Sequence, residues 1–251
     1  MRKGTPRLGS VARTLAVLDV VIADGGQSNT TKLARHLGMP IATVHRHIAT
    51  LVAEGYLKPG AYGQHLAGAR LLRLVDRLDE KRLVANAAAV PLHQVATQLH
   101  AIAQLGTLEN EMVTYRIKTG QSADNLFTRV DMQLEAYCSG IGKVLLANLP
   151  DLERKAYLAT GPFVPLTANT IIDPTELDQA LEEVRTKGFA IDKGEIAAGL
   201  ICVAVPIRKL DGSVPAAISV SQSDGPSMIP VEDVLSHLIK VQKQIEVAAF
   251  G

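Results

Sequence analysis

The sequence predicts an α+β protein in which a small helical module closed by a hairpin precedes a larger module with a central antiparallel sheet. Residues 8–66 hold three short helical patterns and then a turn-rich hairpin, whereas strand and helical patterns alternate from residue 102 onward. The two parts also differ in charge. Residues 1–82 carry thirteen Lys and Arg against six Asp and Glu, a net of +7, and the rest carries a net of −6.

The composition excludes several classes of protein. Apolar residues make up 47% of the 251 residues, which is enough for a buried core, and no apolar run approaches the roughly 18 to 20 residues that span a bilayer. Two cysteines make no disulfide framework, so we expect a cytoplasmic protein without a membrane partner. With no Trp and only four Phe, an aromatic platform for single-stranded nucleic acid is disfavoured.

The first helical pattern begins near Ser10, a candidate cap, and ends at the glycine pair 25–26. Its apolar side chains recur at helical spacing: Val11, Leu15, Leu18 and Ile22. A second short helix is expected after a cap at Thr30 or Thr31, and a three-residue turn at 38–40 leads into a third helix over 41–55.

The third helix has an apolar face and a polar outer face, and the pair of helices joined by a short turn is a helix-turn-helix arrangement. Residues 55–58 and 64–66 then bracket the turn-rich stretch 59–63, which indicates a hairpin wing. We therefore assign residues 1–68 to a winged helix-turn-helix domain.

A basic helix-turn-helix predicts a double-stranded DNA partner, although a lone Arg on a helix usually belongs to a solvated face. Arg46 suits a bidentate contact to guanine or a phosphate clamp, and Thr43 suits a phosphate or a thymine methyl group. The candidate DNA contacts are Arg13, Thr30, Thr31, Thr43, His45, Arg46, His47, Thr50 and Lys58.

His45 and His47 are two residues apart on a helix and therefore do not face each other, and no other ligand stands at metal-binding spacing nearby. We predict no metal site and no cofactor.

Residues 69–85 are predicted to form a linker helix with an apolar stripe that includes Leu71, Leu72, Val75 and Leu78. The stripe packs either on its own DNA-binding domain or on the same helix of a second subunit. We favour the second alternative, because two-fold pairing presents two recognition helices to successive major grooves of DNA. The expected assembly is a homodimer or homotetramer.

Residues 86–251 form the second predicted domain. A helix over about 83–101 is expected to break or start at Pro91. Strands are expected at 101–108, 112–117, 188–191, 200–207 and 214–220, and helices at about 140–148, 151–159, 174–187 and 230–249. Residues 210–213 carry a hairpin signal, which favours antiparallel pairing.

The stretch 139–144 resembles chemical motifs only in part. A phosphate loop needs a Gly where Tyr137 stands and a Ser or Thr where Val144 stands, and Ser139 and Lys143 are four residues apart where a Ser-Lys nucleophile needs three. Ser139 is better explained as a helix cap beside exposed N–H groups that suit an anion.

Other polar candidates lie on the predicted strands. Ser219 and Ser221 share one strand face and need partners from the backbone or from a ligand, and Asp192 is similarly ambiguous. Cys138 and Cys202 serve as small apolar groups by default, with a redox-sensing role as an alternative. A hydrolase or acyl transferase using Ser139, Ser219 or Cys202 is a further alternative, but no paired base is evident.

Three segments carry a resemblance to a known family: MPIATVHRHIATLVAEGYL, AYCSGIGKVLLANLP at 136–150 and GFAIDKGEIAAGLICVAVPIRKLDGSVPAAISVS at 188–221. Together they resemble the IclR family of bacterial transcriptional regulators, over about residues 8–249. The resemblance implies a winged helix-turn-helix, a linker helix and a GAF-like effector-binding domain. It further implies a regulator of a catabolic operon, more often a repressor, that responds to a small aromatic or carboxylic acid.

The resemblance also implies the effector-binding residues. Loop contacts fall on Ser139, Gly140 and Ile141, and a polar wall falls on Asp192, Cys202, Ser219 and Ser221. Ile141 departs from the smaller residue found in many members.

Overall fold

The structure, a computed structural model, describes residues 8–120 and 123–251. The chain forms two compact units that divide after Leu78. Residues 1–7 of the first predicted domain lie outside the described residues.

The first unit contains α1 (Gly9–Ala23), α2 (Thr30–Leu37), α3 (Ile41–Ala53) and α4 (Ala69–Val75), with the wing formed by β1 (Leu57–Pro59) and β2 (His65–Ala67). The two wing strands pair antiparallel. The predicted winged helix-turn-helix is therefore confirmed.

Two details of the first unit differ from prediction. Ser10 lies inside α1, because the helix begins one residue earlier, and the side chain that caps α2 is that of Asn29, which accepts a hydrogen bond from the Lys32 N–H at 3.0 Å. The core side of α1 is formed by Val17, Leu18 and Val21. Three side chains of the predicted stripe are instead exposed: Val11, Leu15 and Ile22.

The predicted linker region 69–85 is divided between two helices. α4 ends at Val75, and α5 (Glu80–Gln98) begins after Asp79, whose carboxylate accepts a hydrogen bond from the Arg82 N–H at 3.1 Å. Asp79 starts the new helix because its side chain satisfies a backbone donor that otherwise has no partner.

The second unit is built on a six-stranded antiparallel sheet, as predicted. Its strands are β3 (Ile102–Glu109), β4 (Met112–Thr119), β5 (Gln133–Glu135), β6 (Ala190–Lys193), β7 (Leu200–Ile207) and β8 (Ala216–Ser223). The strand order is β5-β4-β3-β8-β7-β6. The central pair β3–β8 thus joins the beginning and the end of this unit.

Helices cover both faces of the sheet. α5 and α9 (Val231–Phe250) bury an aliphatic core against one face, and α6 (Gly140–Ala147), α7 (Asp151–Leu158) and α8 (Pro174–Lys187) enclose a second core on the other. Pro91 lies inside α5, so the predicted break there is wrong. The cost of one missing backbone hydrogen bond is outweighed by the face that buries Val84, Ala88, Leu92 and Val95.

Candidate functional sites

The DNA-facing candidates lie around α3 in the first unit. Val44, Ile48 and Leu51 turn inward and are buried, which leaves His45, Arg46 and Thr50 on the exposed side of the helix. The hydroxyl group of Thr50 donates to the carbonyl oxygen of Arg46 at 3.0 Å, so it is partly occupied within the helix. The Arg46 side chain is exposed, as a contact to DNA requires.

His47 occupies a different position from the other α3 candidates. It is half-buried, and its Nδ1 lies 2.9 Å from the hydroxyl oxygen of Thr14 in α1. This contact ties the recognition helix to α1, which gives His47 a structural task that the sequence did not indicate. His45 lies near His65 in β2, where burial first and then the proximity of His45 lower the pKa of His65.

The remaining DNA candidates are solvent-facing. Arg13, Thr31 and Lys58 are exposed, and Thr30 and Thr43 are half-buried. The wing is fixed to the segment before α2, because the Gln64 side-chain amide donates to the Gln27 carbonyl oxygen at 2.9 Å and Asn29 bridges to Gln64. The structure therefore joins the wing and the start of α2 on one side of the unit.

The second unit contains a small cavity between β3, β7, β8 and the start of α6. Its free volume is about 10 Å³, so the side chains as they stand leave room for about one water molecule. Its lining includes all seven residues that the sequence proposed for the effector: Ser139, Gly140, Ile141, Asp192, Cys202, Ser219 and Ser221.

The start of α6 forms one end of this cavity. Ser139 caps the helix, since its Oγ accepts a hydrogen bond from the Gly142 N–H at 3.0 Å, as predicted. Within the described residues, the N–H groups of Gly140 and Ile141 have no acceptor. A Cβ on Gly142 would stand 2.0 Å from the carbonyl oxygen of Ala136, so only glycine fits this turn. Unpaired N–H groups at a helix N-terminus favour an anionic or carbonyl oxygen.

The strands supply the polar wall of the cavity. Asp192 pairs with Cys202, and Cys202 pairs with Ser221, across adjacent strands. The Cys202 Sγ lies 3.1 Å from the Ser221 Oγ, which in turn lies 3.4 Å from the Oε1 of Gln104. The wall is thus a row of linked polar groups inside an apolar sheet.

Asp192 is the buried carboxyl group of the cavity. Its side chain is fully buried, and its Oδ1 accepts a hydrogen bond from the Glu195 N–H at 2.7 Å, while its Oδ2 has no partner among the described residues. Burial raises the pKa of Asp192 to about 6, and the nearby charge of Glu195 adds to the effect of burial. A carboxyl group in this state can hold or release a proton near neutral pH.

Lys143 and Glu195 form a buried ion pair behind the cavity. The Lys143 ammonium group contacts the Glu195 carboxylate and donates to the Ile191 carbonyl oxygen at 2.9 Å. This pair fastens α6 to the loop after β6 and so holds Asp192 in place. The sequence pointed to Lys143 only as part of a phosphate loop or of a Ser-Lys nucleophile pair, and gave no sign of this ion pair.

Other lining residues were also missed: Gln104, Tyr115, Leu126, Phe127, Thr128, Ile196 and Leu200. Gln104 is the one that a signal could have revealed, because it is a polar residue within an apolar strand, and its amide donates to the Thr128 hydroxyl at 2.8 Å.

The cysteines are poorly suited to redox chemistry or nucleophilic attack. Both are free and buried, and burial raises the pKa of Cys138 and of Cys202 to about 12. A thiol in this state scarcely ionises at neutral pH, and the thiolate is the reactive form.

Neither a metal cluster nor a membrane-spanning helix is found among the residues that the structure describes. No three His, Cys, Asp or Glu side chains of the described residues are grouped as a metal site would need. No helix in the part of the chain that the structure describes is long and apolar enough to cross a membrane.

Comparison with known sequences agrees with both units. The profile of the IclR helix-turn-helix domain matches residues 10–60, and the profile of the bacterial transcriptional regulator IclR C-terminal domain matches residues 77–228. The chain belongs to the IclR family of transcriptional regulators. Like the family members it resembles, this IclR regulator is a DNA-binding protein and not an enzyme.

Individual relatives cover most of the chain. The regulator BhcR of Paracoccus denitrificans is 30% identical over 86% of this chain and 77% of that protein. The Pca regulon regulatory protein of Pseudomonas putida is 29% identical over 86% of this chain and 75% of that protein.

Solved structures agree with the fold. The repressor BlcR of Agobacterium tumefaciens matches with a TM-score of 0.70 at 22% identity, covering 96% of this chain and 99% of that one. An IclR homologue of Microbacterium hydrocarbonoxydans, solved with 4-hydroxybenzoate, matches with a TM-score of 0.63 at 26% identity, covering 96% of this chain and 99% of that one.

Proposed function

We propose that this IclR regulator represses a catabolic operon and is released from its operator when a small aromatic or carboxylic acid binds in the cavity of the second unit. The observation that carries the proposal is the convergence of unpaired N–H groups at the start of α6 with the hydroxyl groups of Ser219 and Ser221 in one enclosed space. The homologue solved with 4-hydroxybenzoate supports an aromatic acid as the first compound to test.

The proposed pose follows from the donors and acceptors of the cavity. The ligand carboxylate lies against the N–H groups of Gly140 and Ile141, with Ser219 and Ser221 as further hydrogen-bond partners. Leu126 and Phe127 cover the apolar part of the ligand. Since the cavity has room for about one water molecule as it stands, the bound state requires these covering side chains to shift.

On the DNA side, we propose that α3 enters the major groove with Arg46 and Thr43 at base edges or phosphates. Arg13, Thr30, Thr31 and Lys58 are proposed as backbone contacts, with His45 and Thr50 at the edge of the interface. His47 is proposed to act by holding α3 against α1, in view of its bond to Thr14.

We also propose a homodimer as the unit that binds the operator. The first unit exposes apolar side chains on α1 and around α4: Val11, Leu15, Leu72, Val75 and Leu78. Exposed apolar groups of this extent favour a protein partner, and a second copy presents a second recognition helix. Leu71 packs instead against its own unit, so only part of the predicted stripe is free.

The test of the ligand is a thermal-shift screen of small aromatic and keto acids, beginning with 4-hydroxybenzoate, on the full chain. A ligand that binds the folded state raises the melting temperature in proportion to the logarithm of its concentration. The same compound is then titrated into a regulator–operator complex at fixed salt, where repression with release predicts weaker DNA binding.

The Ser219→Ala, Ser221→Ala double variant provides the matched control, because it removes two cavity hydroxyls and leaves the first unit untouched. We expect it to lose the thermal shift and keep operator affinity. An unaltered shift in this variant contradicts the proposed cavity, and tighter operator binding with ligand contradicts repression.

A further inference from the structure

Glu109, the last residue of β3, is the centre of a charged cluster on the edge of the second unit. Its carboxylate accepts hydrogen bonds from Lys81 at 2.7 Å, Thr107 at 3.1 Å and Thr114 at 3.2 Å, and it also contacts the Arg116 guanidinium group. Burial opposes ionisation, but the bonds from Lys81 and Arg116 outweigh it and lower the pKa of Glu109 to about 2. The Glu109 carboxylate is therefore charged at neutral pH and is held by partners from α5, β3 and β4.

A β-bulge connects this cluster to the ligand cavity. The pairing of β3 with β4 shifts between Leu105 and Gly106, so that Leu105 faces Ile117, Gly106 faces Tyr115, and Arg116 is the extra residue. Tyr115 lines the cavity, while its neighbour Arg116 reaches Glu109 and, at 3.2 Å, Asp131. A displacement of Tyr115 therefore moves the backbone that carries Arg116.

The segment that covers the cavity is attached at the same point. The Asp131 N–H donates to the Tyr115 carbonyl oxygen at 2.7 Å, and the Tyr115 N–H donates to the Met132 carbonyl oxygen at 3.1 Å. The covering residues Leu126 and Phe127 precede this anchor by a few residues. A ligand that displaces Leu126 and Phe127 therefore also shifts the bulge, because the backbone hydrogen bonds of Asp131 and Met132 connect this segment to Tyr115.

At its other end, the cluster holds the first turn of α5. Lys81 is the second residue of this helix, which begins directly after the boundary between the two units. Its ion pair with Glu109 is the link between this turn and the end of β3. The neighbouring Glu80 pairs instead with Lys209 in the β7–β8 turn, at 2.9 Å.

We propose that the chain of contacts from Tyr115 through Arg116 and Glu109 to Lys81 transmits the state of the cavity to the first turn of α5, and so to the junction with the DNA-binding unit. The proposal rests on the proposed function of the cavity as the regulatory site. Arg116 and Glu109 act as positioning residues, because neither lines the cavity. A half-exposed ion pair adds little to stability, so the larger effect is expected on coupling.

The test is a double-mutant cycle on the full chain, read by hydrogen exchange of the amides of residues 82–86 followed by mass spectrometry. Tyr115→Leu perturbs the cavity and Glu109→Gln removes the central charge with little change of shape. Each is expected to speed exchange in this segment. Coupling predicts that the double variant differs by at least about threefold from the product of the two single effects.

The matched control replaces Glu109→Gln with Glu80→Gln, which breaks the other ion pair in the same helical turn. The effects of Glu80→Gln and Tyr115→Leu on the exchange rate are expected to be independent, so that the double variant shows the product of the two single effects. Exchange in residues 234–245 of α9 reports global unfolding, and Tyr115→Phe replaces Tyr115→Leu if the latter unfolds the second unit.

Three outcomes overturn the proposal. They are independent effects of the Tyr115 and Glu109 substitutions, equal coupling in the Glu80 cycle, and unchanged exchange of residues 82–86 in both Tyr115 variants. The cycle uses neither ligand nor DNA. A failed ligand screen therefore counts against the proposed function alone, and independent effects in the cycle count against the coupling alone.

Discussion

The candidate functional residues of the two units differ in their exposure to solvent. In the first unit the candidates Arg13, Arg46 and Lys58 are exposed, as contact with a polyanion would require. In the second unit the candidates Ser139, Asp192 and Ser221 are buried, as enclosure of a small ligand would require. Removing an exposed polar side chain changes the free energy of unfolding little, whereas removing a buried one leaves its partners without hydrogen bonds. The same type of substitution therefore has different consequences in the two units.

The largest expected effect is on the buried ion pair. Lys143→Met leaves the Glu195 carboxylate without its partner beside Asp192, and we expect a loss of roughly 3 to 5 kcal/mol in the free energy of unfolding of the second unit. Urea denaturation measures the change. Lys155→Met, at an exposed position on α7, is the control and is expected to be nearly neutral. Equal effects of the two variants would remove the contrast between buried and exposed charges.

Asp192 gives the second unit a dependence on pH. Its pKa is raised to about 6 by burial from the ordinary 3.8, so its contribution to stability is complete below about pH 4 and is lost as pH rises through 6. The difference amounts to about 2 to 3 kcal/mol. Asp192→Asn is expected to abolish this fall in stability, measured by denaturation at pH 4.5 and 7.5.

Asp211→Asn is the control for this pH dependence. Asp211 is exposed in the β7–β8 turn, and hydrogen bonds from Ser213 lower its pKa, so the loss of this carboxylate leaves the slope above pH 4 in place. The assignment fails if Asp192→Asn keeps the slope of the unaltered protein.

Arg46 tests the exposed surface of the first unit. Arg46→Ala is expected to weaken operator binding by about 1 to 3 kcal/mol and to leave thermal stability and ligand response unchanged, because its side chain is exposed on α3. Fluorescence anisotropy at several salt concentrations measures the change. Lys155→Ala removes an equal charge from the second unit as a control. Unchanged operator affinity for Arg46→Ala would exclude its role in DNA binding.

The smallest effect is expected at the cap of α2. Asn29→Ala removes the side chain that accepts from the Lys32 N–H, and we expect a loss of about 1 kcal/mol of stability in the first unit. Thr31→Ala, one position into the exposed start of the helix, is the control with a smaller effect. A larger loss of stability from Thr31→Ala than from Asn29→Ala would favour the cap at Thr31 that the sequence suggested. Thermal denaturation of both variants decides between them.

The exposure of the candidates on α3 follows from a local pattern in the sequence, whereas the grouping of the candidates in the cavity does not. The period of 3.6 residues separates Val44 and Ile48 from Arg46, and this local rule needs no knowledge of the rest of the chain. The cap at Ser139 was also local and is confirmed. The predicted cap at Thr30 or Thr31 was wrong because the adjacent Asn29 has the same capping chemistry, and only the backbone conformation distinguishes these positions.

The enclosed site depends on register between distant strands. Asp192, Cys202 and Ser221 were proposed from family resemblance, and their alignment across three strands follows from pairings that no local pattern fixes. The pairing of Lys143 with Glu195 was missed because the two residues are far apart in sequence and each has the appearance of a surface charge. Pro91 misled for a related reason, since tertiary packing outweighs a local helix breaker.

The strand order has a consequence for co-translational folding. The first unit is closed by local contacts, so it can fold as soon as it emerges. The sheet of the second unit is closed only when β8 reaches β3, about 115 residues later, and β8 also brings Ser219 and Ser221. During synthesis, the first unit can therefore complete its contacts while the candidate cavity of the second unit still lacks the strand that carries Ser219 and Ser221.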